Sequence, residues 1–210
     1  MTDTGVKLMG PREPIDATHY IDGLPPRPDP DLDRVLDAAE RCLTRFGLRR
    51  ATMSDIAREM GVARTTLYRQ VSSLEEATAL VFSRRLHRFI DKLLEMSRSG
   101  LDAEALVSVI ARSVRMTLAE PIMQRLLQDE PDLLGDMLTS GAVAGLVDQI
   151  INLMTPVLGA AMDAGLIRGS DPAMAASWIV RSVLVLTAVP VPDADLERQV
   201  RYALLPLFEV

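Results

Sequence analysis

The stretch "DIAREMGVARTTLYRQV", residues 55–71, decides the fold: it is either one amphipathic helix that tolerates a glycine or two short helices around a tight corner. As a single helix it would have to bring Ile56, Met60, Leu67 and Val71 onto one face with Gly61 in its interior, where glycine costs about 1 kcal/mol. A break at Gly61 accommodates the sequence better. The glycine then takes a left-handed corner, Val62 fills the angle between two helices, and Leu67 and Val71 face inward from a short second helix. Arg64, Thr65, Tyr68 and Arg69 are left pointing outward, and their chemistry is that of a groove reader. Arginines suit guanine edges and phosphates, threonine a hydrogen bond or a thymine methyl, and tyrosine a phosphate.

Working outward, Thr52 with Asp55 three residues on is an acidic relative of the capping box, and Ile56, Ala57 and Met60 make the stripe of a helix barely two turns long. Upstream, Asp29-Pro30 reads as an N-cap and first helical residue. Leu32, Val35, Leu36, Ala39, Leu43 and Phe46 then recur at helical spacing until Gly47. Downstream, the periodicity predicts helices over about 75–98, 102–119, 121–129, 141–164, 172–188 and 194–208, with Gly165 closing one and Asp171-Pro172 opening the next. No strand pattern competes, and only 4% of residues are aromatic against ample Leu, Val, Ala and Met, so the expected fold is all-α.

The net charge of −6 argues against a nucleic-acid partner only until it is divided along the chain. Residues 1–30 carry −2, residues 31–90 carry +3 and residues 91–210 carry −7. All eleven basic residues of the middle segment are arginines, whose planar fork suits phosphate and base edges. A basic head on an acidic body is expected, joined by a continuous helix, since the charge boundary falls inside a helical stretch.

Residues 1–30 hold six prolines and little hydrophobic pattern, which predicts a flexible arm rather than a packed element. The single cysteine, Cys42, permits no internal disulfide and fits a buried small hydrophobe in a reducing compartment. No basic region precedes an apolar one at the N-terminus, and the apolar run from Trp178 to Val191 is broken by Arg181 and Pro190. Neither a signal peptide nor a membrane span is expected, and the cytoplasm is the expected location.

Thr52-Met53-Ser54-Asp55-Ile56-Ala57, followed by Gly61-Val62-Ala63-Arg64-Thr65-Thr66-Leu67-Tyr68-Arg69-Gln70, resembles the N-terminal motif of tetracycline-repressor-like (TetR family) transcription regulators. The specific resemblance covers roughly residues 32–82; beyond it the chain is similar in helical plan, including "AGLIRGSDP" at 164–172. It implies a helix-turn-helix domain over 31–76, whose second helix enters the major groove of double-stranded operator DNA, and a helical effector-binding and dimerisation domain over 77–210. By the same resemblance Arg64, Thr65, Thr66, Tyr68, Arg69 and Gln70 match the DNA-facing helix, and Thr52 matches a helix start that often binds backbone phosphate. Three positions depart from the pattern: Ala63 stands where a capping serine is common, Val71 where a phenylalanine closes the motif, and Leu74 where a lysine often meets phosphate.

A single short recognition helix buries too little to be specific, so such a protein is expected to act as a homodimer on a pseudo-palindrome. The last two helices are the candidate interface, through Val183, Leu184, Leu196, Val200, Leu204 and Phe208, and the resemblance implies the same pair as a four-helix bundle across the dimer axis. The alternative is that these residues complete one chain's own core. Phe89, Met96, Met116, Met123, Met137, Met154 and Trp178 form a soft set expected to line a pocket for a small apolar effector, although methionines at helical spacing also serve as ordinary core. Asp148 and Arg181 interrupt apolar runs, as polar anchors in that pocket or as partners in buried or interfacial ion pairs.

Two rival classes remain. With His19 and His87 the only histidines, and no phosphate loop, dinucleotide fingerprint, metal-ligand cluster or nucleophile motif, neither an enzyme, a cofactor nor a metal is expected. A helical interaction protein that binds no DNA would tolerate replacement of Arg64, Tyr68 and Arg69 and show little salt dependence.

Overall fold

The computed structural model describes residues 25–97, 102–139, 141–169 and 171–208, and every regular element among them is helical. Asp29 caps a 3-10 turn at Pro30–Leu32 by accepting the Asp31 N–H at 2.9 Å. The chain then runs into α1 (Asp33–Phe46), which ends where Gly47, at φ 82°, donates its N–H to Leu43 O at 2.9 Å. Helices α2 (Met53–Met60) and α3 (Arg64–Tyr68) follow, and α4 (Leu74–Ser97) carries the chain out of this head.

The body comprises α5 (Ala103–Ala119), α6 (Pro121–Gln128), α7 (Pro131–Thr139), α8 (Ala142–Asp163), α9 (Pro172–Ala188) and α10 (Asp193–Leu204). Helix α7 falls where the sequence predicts none. It is nine residues long with Gly135 inside it, and its stripe of Leu133, Leu134, Met137 and Leu138 is only half-buried, too short a repeat to stand out as a helix in the sequence. The last predicted helix, 194–208, stops at Leu204 and closes in a 3-10 turn at Leu205–Leu207, where Pro206 supplies no N–H to continue it.

Two cores organise the chain. The head core gathers Leu36 and Leu43 of α1, Ile56 of α2, Leu67 of α3 and Val71, all at most 1% exposed. It does not end at the expected domain boundary of residue 76, because Ala77 and Val81 of α4 and Ile122 and Leu126 of α6 complete it. The body core joins Val107, Ile110 and Val114 of α5 to Leu158 and Ala161 of α8, Ala176 and Ile179 of α9, and Leu196, Val200 and Leu204 of α10. Among the described helices, Val143–Asp163 of α8 is long and apolar enough to cross a membrane; here it packs along α9 and gives Leu158 and Ala161 to the body core.

The expected arm lies outside the described residues as far as residue 24. Its last residues are tied to α4 by hydrogen bonds, contrary to expectation. Pro26 O accepts the hydroxyl of Ser83 at 2.8 Å, Pro25 O lies 2.8 Å from Nε2 of buried His87, and Arg27 makes two bonds of 3.0 and 2.9 Å to Asp91. Prolines without an apolar pattern can still lie along a helix through their carbonyls, and a hydrophobicity pattern does not register such contacts.

The arginines of α4 tie the head to the connecting helix. Arg84, with 8% of its side chain exposed, meets Asp33 at 3.2 Å, Asp37 at 2.9 Å and Glu40 at 2.7 Å, while Arg85 meets Glu40 at 2.7 Å and also pairs with Glu120. Burial raises the Glu40 carboxyl, but the bonds from Arg85 and Arg84 outweigh it and hold its pKa below the usual glutamate range. A carboxyl depressed in the folded state contributes stability that is present above its unfolded pKa and lost as pH falls through its folded one. Glu40→Gln is therefore expected to lower stability at pH 7, with the difference from the parent chain narrowing below about pH 4.3. Urea unfolding at a series of pH values checks this; a difference constant with pH contradicts it.

Candidate nucleic-acid interface

The 55–71 stretch forms two helices. Thr52 and Asp55 make a reciprocal cap at the start of α2: Thr52 Oγ1 accepts the Asp55 N–H at 3.2 Å, and Asp55 Oδ2 accepts the Thr52 N–H at 3.1 Å. At its end Gly61 adopts φ 69°, ψ 33°, donating its N–H to Arg58 O at 3.1 Å while Val62 donates to Ala57 O at 3.0 Å. These two bonds close a Schellman end, in which the left-handed residue reverses the chain; among coded residues glycine takes it without a Cβ penalty.

Ala63 then starts α3 with no side-chain hydrogen bond to cap it, and Leu67, fully buried, pins the helix to the head core. Arg64, Thr65, Thr66, Tyr68, Arg69 and Gln70 all lie exposed on the other side, Tyr68 with half its surface open. Arg64 hydrogen-bonds Ser54 Oγ across the corner, and Arg69 meets no carboxylate within ion-pair distance among the described residues. The face presents two guanidinium groups, three hydroxyls and an amide, all competent to donate to phosphate or base edges. Thr52 is exposed beside it, with its hydroxyl proton given to Asp55 at 2.6 Å, so a phosphate contact from that side chain requires exchanging this bond.

The body departs more from expectation. Leu196, Val200, Leu204 and Phe208 are 1–3% exposed within this single chain, so they form its own core and are not open to a partner. Val183 and Leu184 are half-buried. Periodicity shows that a helix has an apolar face, not which element covers it. The open apolar surface lies instead on α9, where Met174, Trp178, Val185 and Val189 expose 66, 52, 61 and 70% and Arg181 shares their stripe; Tyr202 of α10 exposes 87%. The sequence nominated this helix for the interface through Val183 and Leu184, but because it is apolar around most of its circumference the pattern did not show which of its residues are open.

Two expected pocket anchors are also displaced. Asp148 is exposed, and Arg181 is exposed with Nη1 bonded to Ser177 Oγ at 2.7 Å, so neither is a buried polar anchor in this chain; Trp178 lies half open on the α9 stripe. Two clefts open at the junction of head and body. One, of about 470 Å³, is walled by charged residues including Glu40, Arg41, Arg45, Arg85 and Glu120. The other, of about 440 Å³, is mainly apolar, with Leu48, Leu74, Phe82, Leu133 and Met137 among its walls. Of the expected effector set only Met137 lines one of these clefts; Phe89, Met96, Met116, Met123 and Met154 are half-buried and line neither.

Comparison with known proteins bears directly on the head. The model for bacterial regulatory proteins of the tetR family matches residues 35–76, which span α1 through the first turn of α4. An uncharacterised HTH-type transcriptional regulator of Mycobacterium tuberculosis is 31% identical over 174 residues, covering 79% of this chain and 79% of the relative. Among solved structures, the SmeT–triclosan complex shares 27% identity at a TM-score of 0.59, covering 82% of this chain and 87% of that one. The regulator FadR of Bacillus subtilis in complex with stearoyl-CoA, at 19% identity and a TM-score of 0.58, covers 82% of this chain and 96% of its own, a likeness of fold. With a helix-turn-helix closed at Gly61, an all-helical body and a relative matched along most of both chains, the protein belongs to the TetR family of transcriptional regulators.

Proposed function

We propose that this TetR-family regulator is a ligand-responsive repressor that binds a pseudo-palindromic operator as a homodimer through α3 and is released by a small, largely apolar effector. The observation that carries the reading is the exposed face of α3. Arg64, Thr65, Thr66, Tyr68, Arg69 and Gln70 all face solvent from a helix seated on the head core by Leu67. A face needed only for solubility would more often mix in glutamate and lysine. Double-stranded DNA is the partner its chemistry fits, and the cytoplasm is where that partner lies.

A second copy of the chain is the other partner. The stripe of Met174, Trp178, Arg181, Val185 and Val189 runs along one side of α9, with Tyr202 exposed on α10, and an apolar surface of this kind on a soluble chain marks an interaction site. Two-fold pairing through it sets two α3 helices at a fixed separation, which a site of half-sites about 34–36 Å apart, or a multiple, would match. The effector proposal draws on the half-buried methionines of the body and on two neighbours solved with ligands, one with triclosan and one with stearoyl-CoA, whose acyl chain is apolar. An effector that favours a conformation with misplaced α3 helices lowers operator occupancy in proportion to its differential affinity, about 5–150-fold for a coupling of roughly 1–3 kcal/mol.

Selection from a random duplex pool by the purified protein is expected to enrich an inverted repeat, and Arg64→Ala is expected to cost about 1–3 kcal/mol on that site with discrimination relaxed at one position. No enrichment, or unchanged affinity of the variant, contradicts the assigned reading. Val185→Asp places a charge in the α9 stripe. It is expected to shift the mass in analytical ultracentrifugation from dimer toward monomer and weaken operator binding, whereas an unaltered dimer would place the interface elsewhere.

A further inference from the structure

The loop between α1 and α2 is held by side chains more than seventy-five residues away in sequence. Glu130, at the corner between α6 and α7, accepts the backbone N–H of Leu48 through Oε2 at 3.1 Å and that of Arg49 through Oε1 at 3.3 Å. From the same corner Arg125 Nη1 donates to Thr44 O, a carbonyl in the last turn of α1, at 3.4 Å. Arg49 in turn lies 3.7 Å from Asp136 of α7. The charges are complementary: a guanidinium meets the carbonyl end of a helix, and a carboxylate meets two amide protons for which no other partner is seen among the described residues.

Gly47 is shaped to this contact. A Cβ on it would stand 2.5 Å from Glu130 Oε1 and 3.1 Å from Arg125 Nε, and its φ of 82° is already in the left-handed region. The held loop is short and leads straight to the DNA-facing elements. Ala51 N–H donates to Gly47 O at 3.2 Å, and the next residue, Thr52, caps α2. A displacement of the Glu130 carboxylate therefore moves the start of α2, and α3 is joined to α2 through the fixed corner at Gly61.

Resting on the DNA-reading assignment above, we propose that Glu130 is a positioning residue for operator binding: by gripping the Leu48 and Arg49 amides it sets the angle of the helix-turn-helix against α6 and α7. The head is joined to the body by the covalent run of α4, by Ile122 and Leu126 of α6 in its core, by the Arg85–Glu120 pair and by this clamp, which is the contact that reaches the loop leading into α2. The apolar cleft of about 440 Å³ adjoins the clamp, sharing Leu48 and Arg49 with the loop and Leu133 and Met137 with α7, so the side of the loop facing α7 is not tightly packed.

The test uses the full-length chain with Glu130→Ala and Glu130→Gln, read by residue-resolved amide hydrogen exchange and by affinity for the selected operator. Glu130→Ala is expected to speed exchange at Leu48 and Arg49 by about tenfold or more and weaken operator binding by about tenfold. Protection in α5 and α10 and the oligomeric mass should stay as in the parent. Glu130→Gln keeps one acceptor oxygen and is expected to fall between the two; it decides the matter if the alanine variant does not fold. Unchanged exchange at Leu48 and Arg49 overturns the clamp. Faster exchange with unaltered operator affinity overturns its positioning role, and loss of protection throughout the body reduces Glu130 to a general stabiliser. Failure of the DNA reading itself is seen separately, as absence of any selected site with the parent protein.

Discussion

Arg84 carries its guanidinium into the junction between α1 and α4 and there meets Asp33, Asp37 and Glu40, with 8% of its side chain left exposed. The turn before it gives Ala77 and Val81 to the head core, and Ile90 further along α4 is buried as well. One continuous helix is thus built into the head and extended toward the body, so the helix-turn-helix is seated on α4. A buried ionic cluster adds less net stability than its contacts suggest, because desolvation opposes the attraction, but its directional bonds favour one angle between α1 and α4. The same cluster reaches Glu120 at the start of α6 through Arg85, so α1, α4 and α6 meet at a common charged node.

Upon that node the second helix of the helix-turn-helix, α3, is small and borrowed in its stability. Five residues, without a side-chain N-cap, would not hold a helix alone, since nucleation is unfavourable and few bonds repay it. Its conformation comes from the reciprocal Thr52–Asp55 cap, the left-handed Gly61 and the burial of Leu67 and Val71. The conformation of α3 is therefore inherited from the head core. Cys42 belongs to that core: burial, with help from Glu59 and Asp55, pushes its thiol up to about 11, so it stays protonated as a packing residue.

The head was legible in the sequence because each of its signals is local. Gly61, the Thr52–Asp55 spacing and the inward steps of Leu67 and Val71 each act within a few residues, and the structure realises all of them. The all-α class and most helix limits followed from the same periodicity. What escaped was whatever depends on distant partners. The apolar face of α10 was read as an interface, yet α5 of the same chain covers it. Trp178 was read as a pocket residue and Arg181 as a pocket anchor or a partner in a buried or interfacial ion pair, yet on an α9 that is apolar nearly all round they turn outward. Helix α7 is nine residues long with a glycine inside it, and the grip of Glu130 on the α1–α2 loop spans more than eighty residues with no sequence signature at either end. The tie of residues 25–27 to α4 was missed for a related reason: its bonds are made by two backbone carbonyls and one arginine.

The central claim is that paired α3 helices bind duplex DNA through arginine-rich faces. Its most direct test is the slope of log operator affinity against log salt concentration, for the parent chain and for Arg69→Ala. Each phosphate neutralised contributes about −0.9 to that slope, and a symmetric dimer carries Arg69 twice. The account predicts a steep negative slope that becomes shallower by up to roughly two for the variant. A flat slope in the parent chain, or one that Arg69→Ala leaves unchanged, would contradict it.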